Sequence, residues 1–152
     1  MTSPRWPVTR QTISDRFGEH CAEAGVLDTS VFIATESGRQ LDVSLIPASV
    51  ATTVITLAEL NAGVLAATRS DVRAQRLATL DAVADMEALP ADEEAARMWA
   101  RLCVHVAETG RRVRINDLWI AAIATSRGLP IITQDSDFDA LEGLADVTVV
   151  RV

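Results

Sequence analysis

From Gly25 onward, short apolar runs alternate with stretches of helical period, and that alternation restricts what the chain can build. The strand-like runs cover 25–29, 50–55, 86–89, 130–133 and 147–152. Between them lie helix-patterned segments at 30–36, 56–68, a stretch from Ser70 through Leu77, Leu80 and Val83, then 92–110 and 116–127. Val50 to Ile55 is rich in β-branched residues, which suit a pleated surface. Asp92-Glu93-Glu94 puts negative charge where a helix N-terminus favours it, and Gly128 with Pro130 beyond closes the helix over 116–127. Ser70 is expected to cap its helix, 41–47 to be a connection and 137–141 a helical turn. The pattern predicts an α/β domain with a short, mostly parallel central sheet covered on both faces, a three-layer α/β/α arrangement.

At 152 residues, with 49% hydrophobic residues and a mean hydropathy of +0.19, the chain supports one domain with a sizeable core. Its apolar runs are too short to span a bilayer. Met1 to Arg10 has no secretory apolar stretch, so a cytoplasmic protein is expected. Residues 1–24 read as an N-terminal extension, broken by Pro4 and Pro7 with a weakly amphipathic helix over 11–24, and 25–152 as the domain. Neither Cys21 nor Cys103 belongs to a CxxC pair, and His20-Cys21 and Cys103/His105 read as structural rather than as ligands.

In α/β sheets, sites form outside the carboxyl ends of the strands. Five acids fall near such ends or at the start of flanking helices: Asp28, Glu59, Asp117, Asp135 and Asp137. Each has an ordinary explanation by itself. Asp28 suits a helix cap, Thr56-Leu57-Ala58-Glu59 fits a capping box, Asn116-Asp117 fits a cap followed by a first-turn acid, and Asp135-Ser136-Asp137 fits a turn. Asp28 and Glu59 interrupt stretches that are otherwise apolar, and the helix after Asp117 is apolar nearly all round and therefore expected to be buried. Charges so close to buried elements are costly unless paired or metal-bound. A hard divalent cation, which prefers oxygen ligands, is the economical partner.

The net charge is −7, and all 14 basic residues are arginines. Without lysine there is no P-loop, no Schiff-base nucleophile, and no lysine of the kind that holds the phosphoryl group in phospho-aspartate enzymes. An acidic chain acting on nucleic acid needs a metal that inverts the local charge or a local basic patch. Arg111-Arg112-Val113-Arg114 supplies such a patch, with Arg112 and Arg114 as candidates for backbone phosphate.

Val-Leu-Asp-Thr-Ser-Val-Phe-Ile at 26–33, Thr-Leu-Ala-Glu-Leu at 56–60, Asn-Asp-Leu-Trp-Ile-Ala-Ala at 116–122 and Thr-Gln-Asp-Ser-Asp-Phe at 133–138 resemble the four signature blocks of PIN-domain ribonucleases, above all the VapC toxins of bacterial toxin–antitoxin pairs. The resemblance runs from about Gly25 to the C-terminus; residues 1–24 fall outside it. It implies a Mg²⁺- or Mn²⁺-dependent endoribonuclease, a homodimer, and a cognate antitoxin that blocks the site. By position it implies that Asp28, Glu59 and Asp117 are metal-binding acids, with Asp135 or Asp137 as the fourth, and that Ser30 and Thr133 orient them. Metal chemistry would then lower the pKa of a water and stabilise charge on the phosphate, leaving a 5′-phosphate and a 3′-hydroxyl. The helical region over 56–85 offers apolar surface to an antitoxin helix or a second subunit, and the acid pocket would accept an arginine from a partner's tail. Two alternatives stay open: a metal-dependent phosphatase with Asp28 as nucleophile, although Ser30 stands where such enzymes place a second Asp, and a catalytically inactive interaction module.

Overall fold

A computed structural model describes residues 24–152. Its elements, in chain order, are β1 (Ala24–Leu27), α1 (Thr29–Glu36), a 3-10 turn (Val43–Leu45), β2 (Ser49–Thr53), α2 (Val54–Ala66), α3 (Ser70–Val83), β3 (Ala88–Leu89), α4 (Glu93–Glu108), α5 (Ile115–Ser126), β4 (Ile131–Thr133), a 3-10 turn (Ser136–Ala140) and β5 (Val149–Arg151). The strands form one sheet in the order β3-β2-β1-β4-β5. Every pairing is parallel, with Val26 opposite both Ala51 and Ile131.

Alternation along the strands sorts the core into two layers. Val26, Ala51 and Ile131 join a cluster with Leu102, Leu118, Ile120 and Ile123 from α4 and α5. Their neighbours Leu27, Val50 and Ile132 point the other way, toward Val31, Phe32, Leu60 and Val83 of α1, α2 and α3. A strand period of two therefore places helices on both faces, and the three-layer α/β/α expectation holds. The helix predicted to be buried all round is so: α5 hides Leu118 and every residue from Ile120 to Thr125. It packs against both α4 and β4, and Trp99 stacks on Trp119 with ring centroids 5.3 Å apart between the two helices.

The structure moves several expected boundaries. The helix expected from Thr56 begins at Val54, because Thr53 accepts the amide hydrogen of Thr56 and caps it. Val54 and Ile55, read as strand from their β-branched side chains, are thus helical: capping and tertiary packing override a weak propensity. Ser70 is the first residue of α3 rather than its cap, which is Arg69 and has no side-chain cap bond. Asp92 does cap α4, accepting from the Ala95 amide at 3.0 Å. β1 starts at Ala24, one residue ahead of the expected domain start. The remainder of the expected N-terminal extension, with His20 and Cys21, lies outside the described residues.

Parallel strands end on the same side. In this order the chain steps outward from β1 through β2 to β3, then returns to the other side of β1 for β4 and β5. The switch point lies between β1 and β4, where a crevice opens beyond the carboxyl ends. Asp28 directly follows β1 and Asp135 follows β4 by two residues.

Candidate active site

Asp28 is the cap of α1 and sits at the bottom of that crevice, 3% exposed. Its Oδ1 accepts from the Ser30 amide at 3.1 Å and the Ser30 hydroxyl at 2.7 Å. Its Oδ2 accepts from the Thr133 hydroxyl at 3.0 Å. Both hydroxyls are themselves held from behind, Ser30 Oγ by the Gln134 amide at 2.9 Å and Thr133 Oγ1 by the Asp135 amide at 2.8 Å. The backbone leaving β4 thus grips the two side chains that grip Asp28, as expected of Ser30 and Thr133. Burial is the main influence on this carboxyl and pushes it from 3.8 up to about 6, against the pull of the two hydroxyls.

Asp117 lies in the first turn of α5, also buried. Its Oδ2 has no hydrogen-bond partner; the nearest cation, the Arg114 guanidinium, stands 3.6 Å away. Desolvation again dominates and raises it to about 6, with Arg114 opposing and Asp135, Asp137 and Glu59 adding to the rise. A buried carboxylate oxygen left without a partner is expensive, and it faces the cleft that Asp28 lines.

Glu59 lies in the second turn of α2. The earlier start of that helix takes it out of the expected capping box and leaves its side chain for the cleft. The Thr29 hydroxyl donates to its Oε2, and the Asn116 side-chain amide donates to Oε1 at 2.9 Å. Thr29 also lies 3.2 Å from the Thr56 hydroxyl. Three helices, α1, α2 and α5, therefore meet at this one carboxylate. Asn116, expected to cap α5, lies inside its first turn, the cap being Arg114 without a side-chain cap bond, so its amide is free for Glu59. Thr29 was not singled out in the sequence, and standing next to Asp28 is the only signal it gave.

The two acids of the last block separate. Asp135 caps the second 3-10 turn, accepting from the Asp137 amide at 3.0 Å, and lines the cleft. Asp137 does not line it; it holds Arg114, which donates from Nε at 2.9 Å and Nη2 at 2.5 Å. Arg114 also reaches Asp135 at 3.5 Å. A single guanidinium thus stands among three carboxylates. Arg112 is exposed on the loop before α5 and does not line the cleft. Cys103 packs against the core on the α4 side, and neither it nor His105 lines the cleft.

The cleft has a volume of about 330 Å³. Among the described residues, no three His, Cys, Asp or Glu side chains are drawn together tightly enough to hold a metal ion as they stand. The donor set nevertheless suits a hard cation: carboxylate and hydroxyl oxygens only, two buried carboxylates raised by desolvation, and one oxygen with no partner.

Among the described residues no helix is long and apolar enough to cross a membrane. The model of the PIN domain family matches residues 25–144. The chain is 74% identical over 129 residues to Ribonuclease VapC5 of Mycobacterium tuberculosis, covering 85% of this chain and 96% of that one. It is 38% identical over 122 residues to Ribonuclease VapC4 of the same organism, covering 80% and 94%. Its fold superposes with a TM-score of 0.81 on a chain from the crystal structure of VapBC-5, a member of the VapBC family of toxin–antitoxin systems from Mycobacterium tuberculosis, at 70% identity and covering 86% of this chain and 99% of that one. With a family match over most of its length, a near relative among the VapC ribonucleases, and carboxylates gathered at the switch point of a parallel sheet, the chain belongs to the PIN-domain family, in its VapC branch.

Proposed function

We propose that this protein is a Mg²⁺- or Mn²⁺-dependent endoribonuclease and the toxin of a toxin–antitoxin pair, held in check by a cognate antitoxin and active as a homodimer. The observation that carries the metal dependence is the buried Asp117 oxygen that lacks a hydrogen bond beside the buried Asp28 at the switch point. Asp28 and Asp117 would hold the cation, with Glu59 and Asp135 completing the oxygen set. When bound, such a cation stabilises charge on the phosphate and lowers the pKa of water.

The chain's own groups then divide the work. Ser30 and Thr133 fix Asp28, so its remaining lone pairs are aimed without rearrangement. Thr29 and Asn116 hold Glu59 by both oxygens, which places it to accept the proton of an attacking water at a carboxylate oxygen. Asp135 takes the fourth position by lining the cleft; Asp137 serves by anchoring Arg114. That guanidinium is 71% exposed, so a backbone phosphate can approach it from solvent. Arg112 stands further out, where it adds to the field that attracts RNA. The phosphatase alternative loses ground here: Ser30, at the position of a second Asp, spends its hydroxyl on Asp28.

The test is incubation of antitoxin-free protein with total RNA and Mg²⁺ or Mn²⁺, beside Asp28→Ala and Asp117→Ala. Metal-dependent cleavage that both variants lose, with products bearing a 5′-phosphate and a 3′-hydroxyl, is the expected result. Cleavage that persists in both variants would overturn the assignment of the site, and a folded wild type that binds no Mn²⁺ and cuts no RNA would return the protein to the inactive-module alternative.

A further inference from the structure

The cleft does not stop at the acids. It runs between α1 and α2 to a second charged pair, Glu36 and Arg76, which line the same space. Thr29, Ile33 and Glu36 recur at helical spacing and mark one face of α1, so Glu36 lies about 10 Å along the helix from Thr29 at 1.5 Å per residue. Glu59, Leu60 and Gly63 do the same on α2. Between the two ends the lining is apolar: Ile33, 44% exposed, and Leu60.

The far end is built rather than incidental. Glu36 is largely buried, with its side chain 16% exposed, and accepts from the Thr79 hydroxyl at 2.9 Å. Arg76 donates from Nη1 to the Gly63 carbonyl at 2.5 Å, which fixes the guanidinium plane against α2. Its Nε stands 3.9 Å from Glu36, too far for a hydrogen bond. Its Nη2 makes no hydrogen bond among the described residues, and the side chain is 37% exposed. A fixed guanidinium with donors to spare thus lies beside a fixed carboxylate with lone pairs to spare, at the end of an apolar slot that begins at the acids.

Resting on the ribonuclease reading, we propose that this slot is a base subsite which reads a guanine next to the scissile phosphate. An unstacked base would lie against Ile33 and Leu60. Arg76 would donate to O6 and N7, the commonest specific arginine contact with a base, and Glu36 would accept from the guanine N1–H. Single-stranded RNA is read in this way, by splaying a base out and bonding its edge. The observed use of Glu36 and Arg76, tying α1, α2 and α3 together, is compatible with this role, since a reading pair must be held still.

The experiment maps cut sites of the wild type, Arg76→Ala and Glu36→Gln on a pool of randomised single-stranded RNA with Mn²⁺, alongside Mn²⁺ affinity by calorimetry and melting of each variant. The wild type is expected to favour guanine at one position flanking the cut. Each variant is expected to lose about 10- to 100-fold of that preference with Mn²⁺ affinity unchanged. Glu36→Gln keeps the side-chain shape and the Thr79 bond, so it reports even where Arg76→Ala melts early. Variants that cut more slowly at every site but keep the wild-type base preference would overturn the subsite and leave the pair as a staple between helices. A wild type that cuts with no preference for guanine beside the cut would overturn it as well. A wild type that cuts no RNA would overturn the ribonuclease reading itself, and the subsite with it.

Discussion

At the level of single residues, the site is a balance between burial and support. Asp28 and Asp117 are held where water cannot reach them well, and each carboxyl rises from 3.8 to about 6. The native state therefore keeps these protons to higher pH than the unfolded chain does. The cost of ionising them is absent below the unfolded value of 3.8, grows as the pH rises, and is complete above about 6. For Asp28 that cost is on the order of 3 kcal/mol in the metal-free protein. Asp28→Asn removes the charge while keeping an acceptor for Ser30 and a polar partner for Thr133. Its metal-free form should melt several degrees above wild type at pH 7.5, with the gain shrinking as the pH falls through 6, while cleavage drops by at least about 100-fold. Calorimetric melts at the two pH values decide this; an Asn variant no more stable than wild type at pH 7.5 would show that Asp28 carries no uncompensated charge. Thr29→Val tests the support of Glu59. It should lower kcat by roughly 10-fold with the melting temperature little changed, and wild-type rates would mean that Asn116 alone positions the acid.

At the level of elements, caps decide where side chains point. Because Thr53 turns the chain into a helix, α2 starts at Val54 and Glu59 falls on the cleft side. A start at Thr56 would have consumed Glu59 in a capping box. The same logic gives a control far from the chemistry. Asp92 caps α4 through the Ala95 amide and receives Arg127 from the end of α5 at 2.8 Å. Asp92→Ala should cost about 0.5–2 kcal/mol for the cap, a fall of several degrees in melting temperature, with kcat unchanged. A matching loss of kcat would mean that the α4–α5 layer transmits its strain to Asp117.

Considered as a whole molecule, the sheet order makes the site. Strands β1 and β4 are neighbours with chain running away from them in opposite directions, so among the described residues a crevice opens at their carboxyl ends. The hydrophobic layers on either side are complete without a cation, since both core clusters consist of buried apolar side chains. Chelation by EDTA should therefore abolish cleavage while leaving far-ultraviolet circular dichroism unchanged. Adding Mn²⁺ at 100 times its dissociation constant at pH 7.5 should restore about 2.7 kcal/mol of stability there, and the same concentration should restore less near pH 5, where protons compete for the acids. Loss of secondary structure on chelation would show that the metal is structural.

Much of this was legible from the chain alone. Strand–helix alternation is local, because side-chain period and caps are properties of neighbouring residues, so the layers and the identity of the acid-bearing segments could be read directly. Asp28 and Glu59 stood out because charge interrupts apolar runs, and Asp117, Asp135 and Asp137 because they lie beside a buried helix or a strand end; the folded chain brings all of them but Asp137 to one cleft. What remained hidden depends on distance in space. No local rule distinguishes Asp135, which lines the cleft, from Asp137, which holds Arg114, or separates Arg114 among the carboxylates from Arg112 outside them. Thr29 and Asn116 gain their role only because α1, α2 and α5 converge on Glu59. Arg76 and Glu36, 40 positions apart, meet only because α3 packs beside α1 and α2. Pairings of that kind are set by how whole elements pack, and packing is a property of the assembled fold.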